Sequence, residues 1–201
     1  MQLLSSPTSP FARKARVMIL ERGLDVAVVG ANPFGTTEEV EALRRANPLG
    51  KIPALILDDG QALFDSPVIC EYLDTLGDAA PLAPRSGPAR WTALRRQALG
   101  DGVAEEGFNI VMEGRRPADQ RSEEWTARWR GAILSAAAAL EEELTGGSQP
   151  FDLGAITVAS AFGYIRFRLP DIDWSAGNPK LSAWIEALLA RDSLAATAPP
   201  T

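Results

Sequence analysis

A proline at the head of an apolar run constrains this chain more than any other feature. In Asn47-Pro48-Leu49-Gly50-Lys51-Ile52-Pro53-Ala54-Leu55 the strand opens on Pro53, whose φ is fixed and which has no N–H to donate. The start of that strand therefore cannot pair there with a neighbour of its own chain. With the Ile52–Pro53 bond cis, the Ile52 N–H and C=O face outward to an extended peptide; with it trans, Pro53 is an ordinary strand starter. Shortly after comes Asp65-Ser66-Pro67, which reads as a helix start with Ser66 as N-cap and Pro67 at the first helical position. Such an end binds carboxylate, and Asp65 can pair with an ammonium. The two groups that hold an α-amino-acid head thus sit on adjacent residues, although the same pair also reads as a plain cap with a dipole-favoured acid.

The beginning of the chain adds a third piece. Met1 to Leu4 is a short apolar run, and Ser5-Ser6-Pro7-Thr8-Ser9-Pro10 leads into an amphipathic stretch that stops at Gly23. This is strand, loop, capped helix and glycine stop. Ser9 is the expected N-cap, with Pro10 first in the helix, so its hydroxyl sits where free backbone N–H groups and the helix dipole favour an anion. A serine oxygen carries two lone pairs and one proton: it can accept from the Ala12 N–H and still donate to a thiolate. A hydrogen bond to a charged partner contributes about 1.5–3 kcal/mol, which lowers a thiol pKa by roughly one to two units. From about 8.5, that leaves much of the thiol ionised at neutral pH. An amino-acid head beside a peptide-binding backbone and a thiolate site describes glutathione, whose γ-glutamyl end presents that head.

Ser9-Pro10-Phe11-Ala12-Arg13, Asn47 to Pro53 and Asp65-Ser66, in this order and spacing, resemble the N-terminal domain of a bacterial glutathione S-transferase of the serine type. Length, linker and helical second half are similar to the rest of that family. The resemblance implies a thioredoxin-like domain that binds glutathione as co-substrate, a helical domain that shapes an electrophile pocket, and a homodimer. It also implies that Ile52–Pro53 is cis, that Ser9 is catalytic, and that Lys51, Ile52, Pro53, Asp65 and Ser66 bind glutathione. Ser6 and Thr8 remain alternatives for the thiol contact.

Composition narrows the chemistry. The 201 residues include 26 Asp plus Glu against 20 Lys plus Arg, which argues against broad attraction to nucleic acid or an anionic membrane. One cysteine and no histidine remove an intramolecular disulfide, Ser-His-Asp and Cys-His catalysis and the common zinc sites, so no metal is expected. No apolar run approaches the roughly 20 residues of a membrane helix, and the first residues lack a basic start and an apolar leader core. A cytoplasmic protein is expected.

The fold class expected is α/β followed by all-α. Residues 1–77 read as βαβαββα: strands at 1–4, 26–29, 53–57 and 61–64, helices at 10–22, 37–46 and 67–76. Asp58-Asp59-Gly60 joins the last two strands as a hairpin, and Thr36 with Glu39 forms a capping box. This is the thioredoxin-like order, with parallel pairs made by the crossovers and a final antiparallel hairpin. Residues 78–88 read as a linker and 89–201 as an all-helical domain. There, Trp91, Leu94, Ala98, Gly102 and Ile110 follow helical spacing in a helix weakened or bent by Gly100, Gly102 and Gly107. Trp125, Trp129, Ile133, Ala136, Leu140 and Leu144 form a stripe ended by Gly146-Gly147. Ile156 to Phe167 is apolar on most sides, a central helix that Thr157 can cap, where Ser160 stands in place of the usual acid of the family it resembles. Asn178 caps a last helix bearing Leu181, Trp184, Ile185 and Leu188, and the tail from Asp192 reads as loose.

A serine at position 9 can orient and stabilise a thiolate but cannot form a mixed disulfide. Thiolate addition or conjugation to a small electrophile is therefore favoured over thiol exchange. Two other readings stand beside it: a non-catalytic protein of this fold that binds a protein partner, and a glutathione-dependent isomerase or dehalogenase. Cys70 reads as a small core residue, and Arg115-Arg116 as a solvated helix end.

Overall fold

The first strand, β1 (Gln2–Ser5), carries Leu3 into the core and lies at the centre of a four-stranded sheet of order β2-β1-β3-β4. The computed structural model describes residues 1–144 and 149–200. After β1 the chain enters α1 (Pro10–Glu21), β2 (Ala27–Gly30), α2 (Thr37–Ala46), β3 (Ala54–Ile56), β4 (Ala62–Leu63) and α3 (Ser66–Asp74). The βαβαββα order expected from the sequence is present. β1 pairs parallel with β2, Ser5 opposite Gly30, but antiparallel with β3, Leu4 opposite Ala54. The expectation of several parallel pairs is thus corrected to one. β2 ends and β3 begins at the same end of the sheet, so α2 returns the chain to that end instead of carrying it across.

Local signals behave as their chemistry requires. Thr36 accepts from the Glu39 N–H at 3.3 Å and Glu39 accepts from the Thr36 N–H at 2.7 Å, a complete capping box. Gly60 takes φ 85° in the hairpin turn and Gly50 takes φ 62° in the loop before β3, a region open to glycine without a Cβ penalty. Cis bonds occur at Ile52–Pro53 and Phe64–Asp65.

Residues 75–86 are irregular but anchored. The buried Arg22 guanidinium donates to the carbonyls of Leu76, Ala79 and Ala80, and Asp74 accepts from the N–H groups of Leu82 and Ala83 at 2.8 and 2.9 Å. Beyond lie α4 (Gly87–Glu113), α5 (Glu123–Glu143), α6 (Leu153–Arg168), α7 (Pro179–Leu189) and α8 (Asp192–Ala196). Every residue of α6 from Leu153 to Ile165 is buried, so this helix is the axis around which α4, α7 and α1 pack.

Several helical expectations change. α6 begins one turn before Thr157: Asp152 is its N-cap, accepting from Ala155 N at 2.9 Å, while the Thr157 hydroxyl bonds back to the Leu153 carbonyl. α4 is one helix of 27 residues, and its buried face runs through Ala93, Arg96, Gln97, Gly100, Val103, Ala104 and Gly107, leaving Trp91 67 % exposed. The stripe on α5 is buried from Ile133 onward, with Trp129 partly buried against the core and Trp125 exposed; Gly146-Gly147 lie outside the described residues. The tail is not loose. Leu194 is fully buried, Arg13 donates to its carbonyl at 2.8 Å, and Ser193 and Arg191 both bind Glu21 on α1.

Candidate functional site

The strand registers gather the expected residues. Leu4 lies opposite Ala54 and Leu55 opposite Leu63, so the chain leaving β1 (Ser6, Thr8, Ser9), entering β3 (Lys51, Ile52, Pro53) and leaving β4 (Asp65, Ser66) shares one end of the sheet. The N-termini of α1 and α3 open there.

Ser9 is the N-cap of α1, with φ −79° and ψ 123°, and its Oγ accepts from Ala12 N at 3.2 Å. Its proton has no acceptor among the described residues. Ser6 and Thr8 are engaged with each other, Oγ to Oγ1 at 3.3 Å, and Ser6 Oγ also receives the Thr8 N–H. The loop before β3 is shaped by Asn47, 1 % exposed, whose side chain donates to the Lys51 carbonyl at 2.9 Å and accepts from Leu49 N at 3.1 Å. Ile52 N–H and C=O have no hydrogen-bond partner among the described residues, and the exposed Lys51 ammonium forms no ion pair among them.

At α3 the cap reading shifts by one residue. Asp65 is the N-cap and makes no side-chain capping bond, Ser66 is the first helical residue, and Pro67 follows in the first turn. An exposed Asp65 carboxylate free of its own helix and a buried Ser66 remain beside the open N–H groups of α3, a pair of opposite polarity suited to an ammonium and a carboxylate.

Other neighbours of Ser9 come from its own helix and from far along the chain. Arg13, Ser160 and Tyr164 line a crevice of about 10 Å³ with Thr8 and Ser9, and Pro199 of the tail borders it. Tyr164 brings a phenol from the helical half to this crevice, and burial raises its pKa. Burial, then the charge of Arg16, lowers the Arg13 pKa to about 10, so Arg13 is a cation at pH 7. Arg16 spans the carbonyls of Pro7 and Thr197 at 3.2 Å each, tying the serine loop to the tail. Lys14, 1 % exposed, pairs with Asp101 of α4 at 2.6 and 2.7 Å. Burial pushes the Asp101 pKa up, and the charge of Asp65 adds to that. Sequence reading found Ser9 because a cap is a local pattern, but residues 151 or more positions away leave no such mark. The one local signal is the run Arg13-Lys14-Ala15-Arg16, three cations in four residues of a helix, whose partners lie on α4, the serine loop and the tail.

Cys70 is fully buried and its thiol is pushed up to about 12, chiefly by burial. Phe34, after β2, stacks on Phe108 of α4 with centroids 6.3 Å apart, and Arg115 lies 5.5 Å from the Phe34 ring. Among the described residues no cluster of three or more His, Cys, Asp or Glu side chains is arranged to hold a metal, and no helix is long and apolar enough to cross a membrane.

Comparison with known proteins bears on the fold and the family. Residues 3–81 match the family model for the glutathione S-transferase N-terminal domain, and residues 123–187 that for the C-terminal domain. The chain is 36 % identical to the uncharacterized GST-like protein YibF of Escherichia coli K12, over 100 % of this chain and 99 % of that one. It is similar to a glutathione transferase family member from Pseudomonas fluorescens Pf-5, crystallised with bound glutathione: 40 % identity, TM-score 0.91, covering 100 % and 99 % of the two chains. A glutathione S-transferase from Methylobacillus flagellatus KT with glutathione bound gives 36 % identity and a TM-score of 0.92, with 99 % of each chain covered.

Proposed function

The chain belongs to the glutathione S-transferase family, and we propose that it is an active transferase that ionises the glutathione thiol at Ser9 for attack on a small electrophile. The observation that carries this reading is the Ser9 hydroxyl: it caps α1 through a lone pair and keeps its proton free, whereas Ser6 and Thr8 hydrogen-bond each other. The tripeptide runs antiparallel along the free Ile52 backbone, beside Pro53 and Lys51. Its γ-glutamyl ammonium meets Asp65 and its α-carboxylate the start of α3 at Ser66. Bound glutathione in the Pseudomonas and Methylobacillus relatives supports glutathione as the ligand.

The chemistry is then thiolate addition. The thiol proton passes to water, the sulfur lone pair forms the S–C bond, and the electrophile either releases a leaving group with its electron pair or is protonated after addition. Ser9 raises the rate at neutral pH by lowering the thiol pKa, so that a larger fraction of bound glutathione is the nucleophilic thiolate. A disulfide-exchange route has no thiol at position 9, and Cys70, buried and with its pKa near 12, does not replace one. A homodimer is part of the same reading, since Val68 of α3 and Trp91 of α4 are 47 % and 67 % exposed and single-chain solubility does not require such residues outward.

Two substitutions separate catalyst from cap. Ser9→Gly keeps most N-cap stability, losing a few tenths of a kcal/mol, whereas Ser9→Ala loses about 1 kcal/mol; both delete the thiolate donor. Both variants should bind glutathione with a raised thiol pKa, seen as lost thiolate absorbance at neutral pH, and both should lose turnover against an electrophile panel. A Ser9→Gly enzyme with wild-type thiol pKa and rate would return Ser9 to a structural role. Glutathione binding by the wild type with no turnover on the panel would instead favour the partner-binding reading.

A further inference from the structure

Ser160 is buried for no reason that packing supplies. It is 1 % exposed on α6, and its Oγ has no hydrogen-bond partner among the described residues, although Thr157 on the same helix satisfies its own hydroxyl on the Leu153 carbonyl at 2.7 Å. A buried hydroxyl without a partner is less stable than an apolar group of its shape, so alanine would serve the helix better. Arg13 Nε is a second buried donor without a partner. Both residues line the crevice that Thr8 and Ser9 also line. Its volume of about 10 Å³ is at the threshold of about 10–15 Å³ that admits one water molecule.

We propose that Ser160 is a positioning residue for the thiolate subsite: together with Arg13 Nε it holds one buried water against Ser9. The proposal rests on the reading of Ser9 as thiolate donor. The water accepts from Ser160 Oγ–H and Arg13 Nε–H through its two lone pairs and gives its protons to Ser9 Oγ and Thr8 Oγ1. Ser9 Oγ already accepts from Ala12 N. A hydroxyl has two lone pairs and one proton, so once both lone pairs are filled, Ser9 can only donate, and the acceptor available to it is the thiolate outside the crevice. Chained hydrogen bonds also polarise one another, which strengthens that donation.

The test is the pKa of bound glutathione, read from thiolate absorbance across pH in the wild type, Ser160→Ala, Ser160→Cys and Ser9→Gly. Ser160→Ala should raise the bound thiol pKa by about half a unit, lower turnover at neutral pH and regain it at higher pH, with a melting temperature at or above that of the wild type. Ser160→Cys, a weak donor, should fall between, and it carries the comparison if the alanine variant does not fold. A structural Ser160 moves only the melting temperature; unchanged thiol pKa in both variants overturns the proposal. Loss of thiolate in Ser9→Gly alongside an unchanged Ser160→Ala refutes the role of Ser160 and spares that of Ser9. Retained thiolate in Ser9→Gly removes the role of Ser9 and this proposal with it.

Discussion

Asp65 is an N-cap that does not cap. Its backbone takes the cap position, its carboxylate stays off the helix N–H groups, and the α3 N-terminus is left open beside it. Because neither carboxylate oxygen is engaged by its own helix, all of the acceptor capacity of Asp65 is open to a ligand ammonium. Asp65→Ala should weaken glutathione binding by about 1.5–3 kcal/mol, the scale of a charge-assisted hydrogen bond, with little change in melting temperature because no capping bond is lost. Titration calorimetry beside thermal unfolding measures both, and unchanged affinity would remove Asp65 from the site. The motif was legible at this scale because caps depend on residues three or four apart, as at Ser9 and at Thr36 with Glu39. The one-residue error at Ser66 arose because proline is tolerated anywhere in the first helical turn, where no N–H is needed.

Helices α4 and α6 show why a hydrophobic stripe can mislead. Glycine in a helix interior costs about 1 kcal/mol relative to alanine, which is why Gly100, Gly102 and Gly107 pointed to a weak helix. Two of them are instead points of close approach. A Cβ on Gly100 would stand 3.0 Å from the Thr157 backbone, one on Gly107 would stand 2.4 Å from Ile165 Cδ1, and one on Gly154 of α6 would stand 2.6 Å from the Ala93 carbonyl oxygen. Gly102 has nothing within 4 Å. Alanine should therefore act in opposite directions: Gly102→Ala should stabilise by about 0.5–1 kcal/mol, and Gly154→Ala should destabilise by about 1–3 kcal/mol because backbone, not a flexible side chain, must move. Urea unfolding of the two variants decides it, and the same sign for both would refute this account of the packing. Sequence periodicity located the helix but not its buried face, because Arg96 and Gln97 occupy core positions. Arg96 is paired there with Glu143 at 2.8 Å and lies 5.2 Å from the Trp184 ring, partners that are remote in sequence.

At the scale of the molecule, the two halves are joined by buried polar ties as well as apolar surface. Lys14 of α1 reaches Asp101 of α4, Arg22 reaches Asp74 and the carbonyls of 76–80, and Arg13 and Arg16 hold the tail. A linker read from its prolines and glycine looks like a hinge, whereas these contacts predict that the halves unfold together. Lys14→Met tests the tie most directly, since it leaves the Asp101 carboxylate, 22 % exposed, without its cation. Breaking a buried pair in this way costs about 3–5 kcal/mol, and the partial exposure of Asp101 places the expected loss near the lower figure. The pH dependence identifies the cause. Burial already raises the folded Asp101 pKa above 3.8 against the opposing charge of Lys14, and removing Lys14 raises it further. A carboxyl raised in the folded state adds stability that is complete below its unfolded pKa and is lost as pH rises through the folded pKa. The deficit of Lys14→Met should therefore be largest at neutral pH and shrink as pH falls through the raised Asp101 pKa, while in Lys14→Met/Asp101→Asn it should be smaller and nearly flat. Denaturant unfolding at a series of pH values compares the variants, and a single-mutant deficit constant with pH would assign the loss to packing of the lysine stem instead of the orphaned carboxylate.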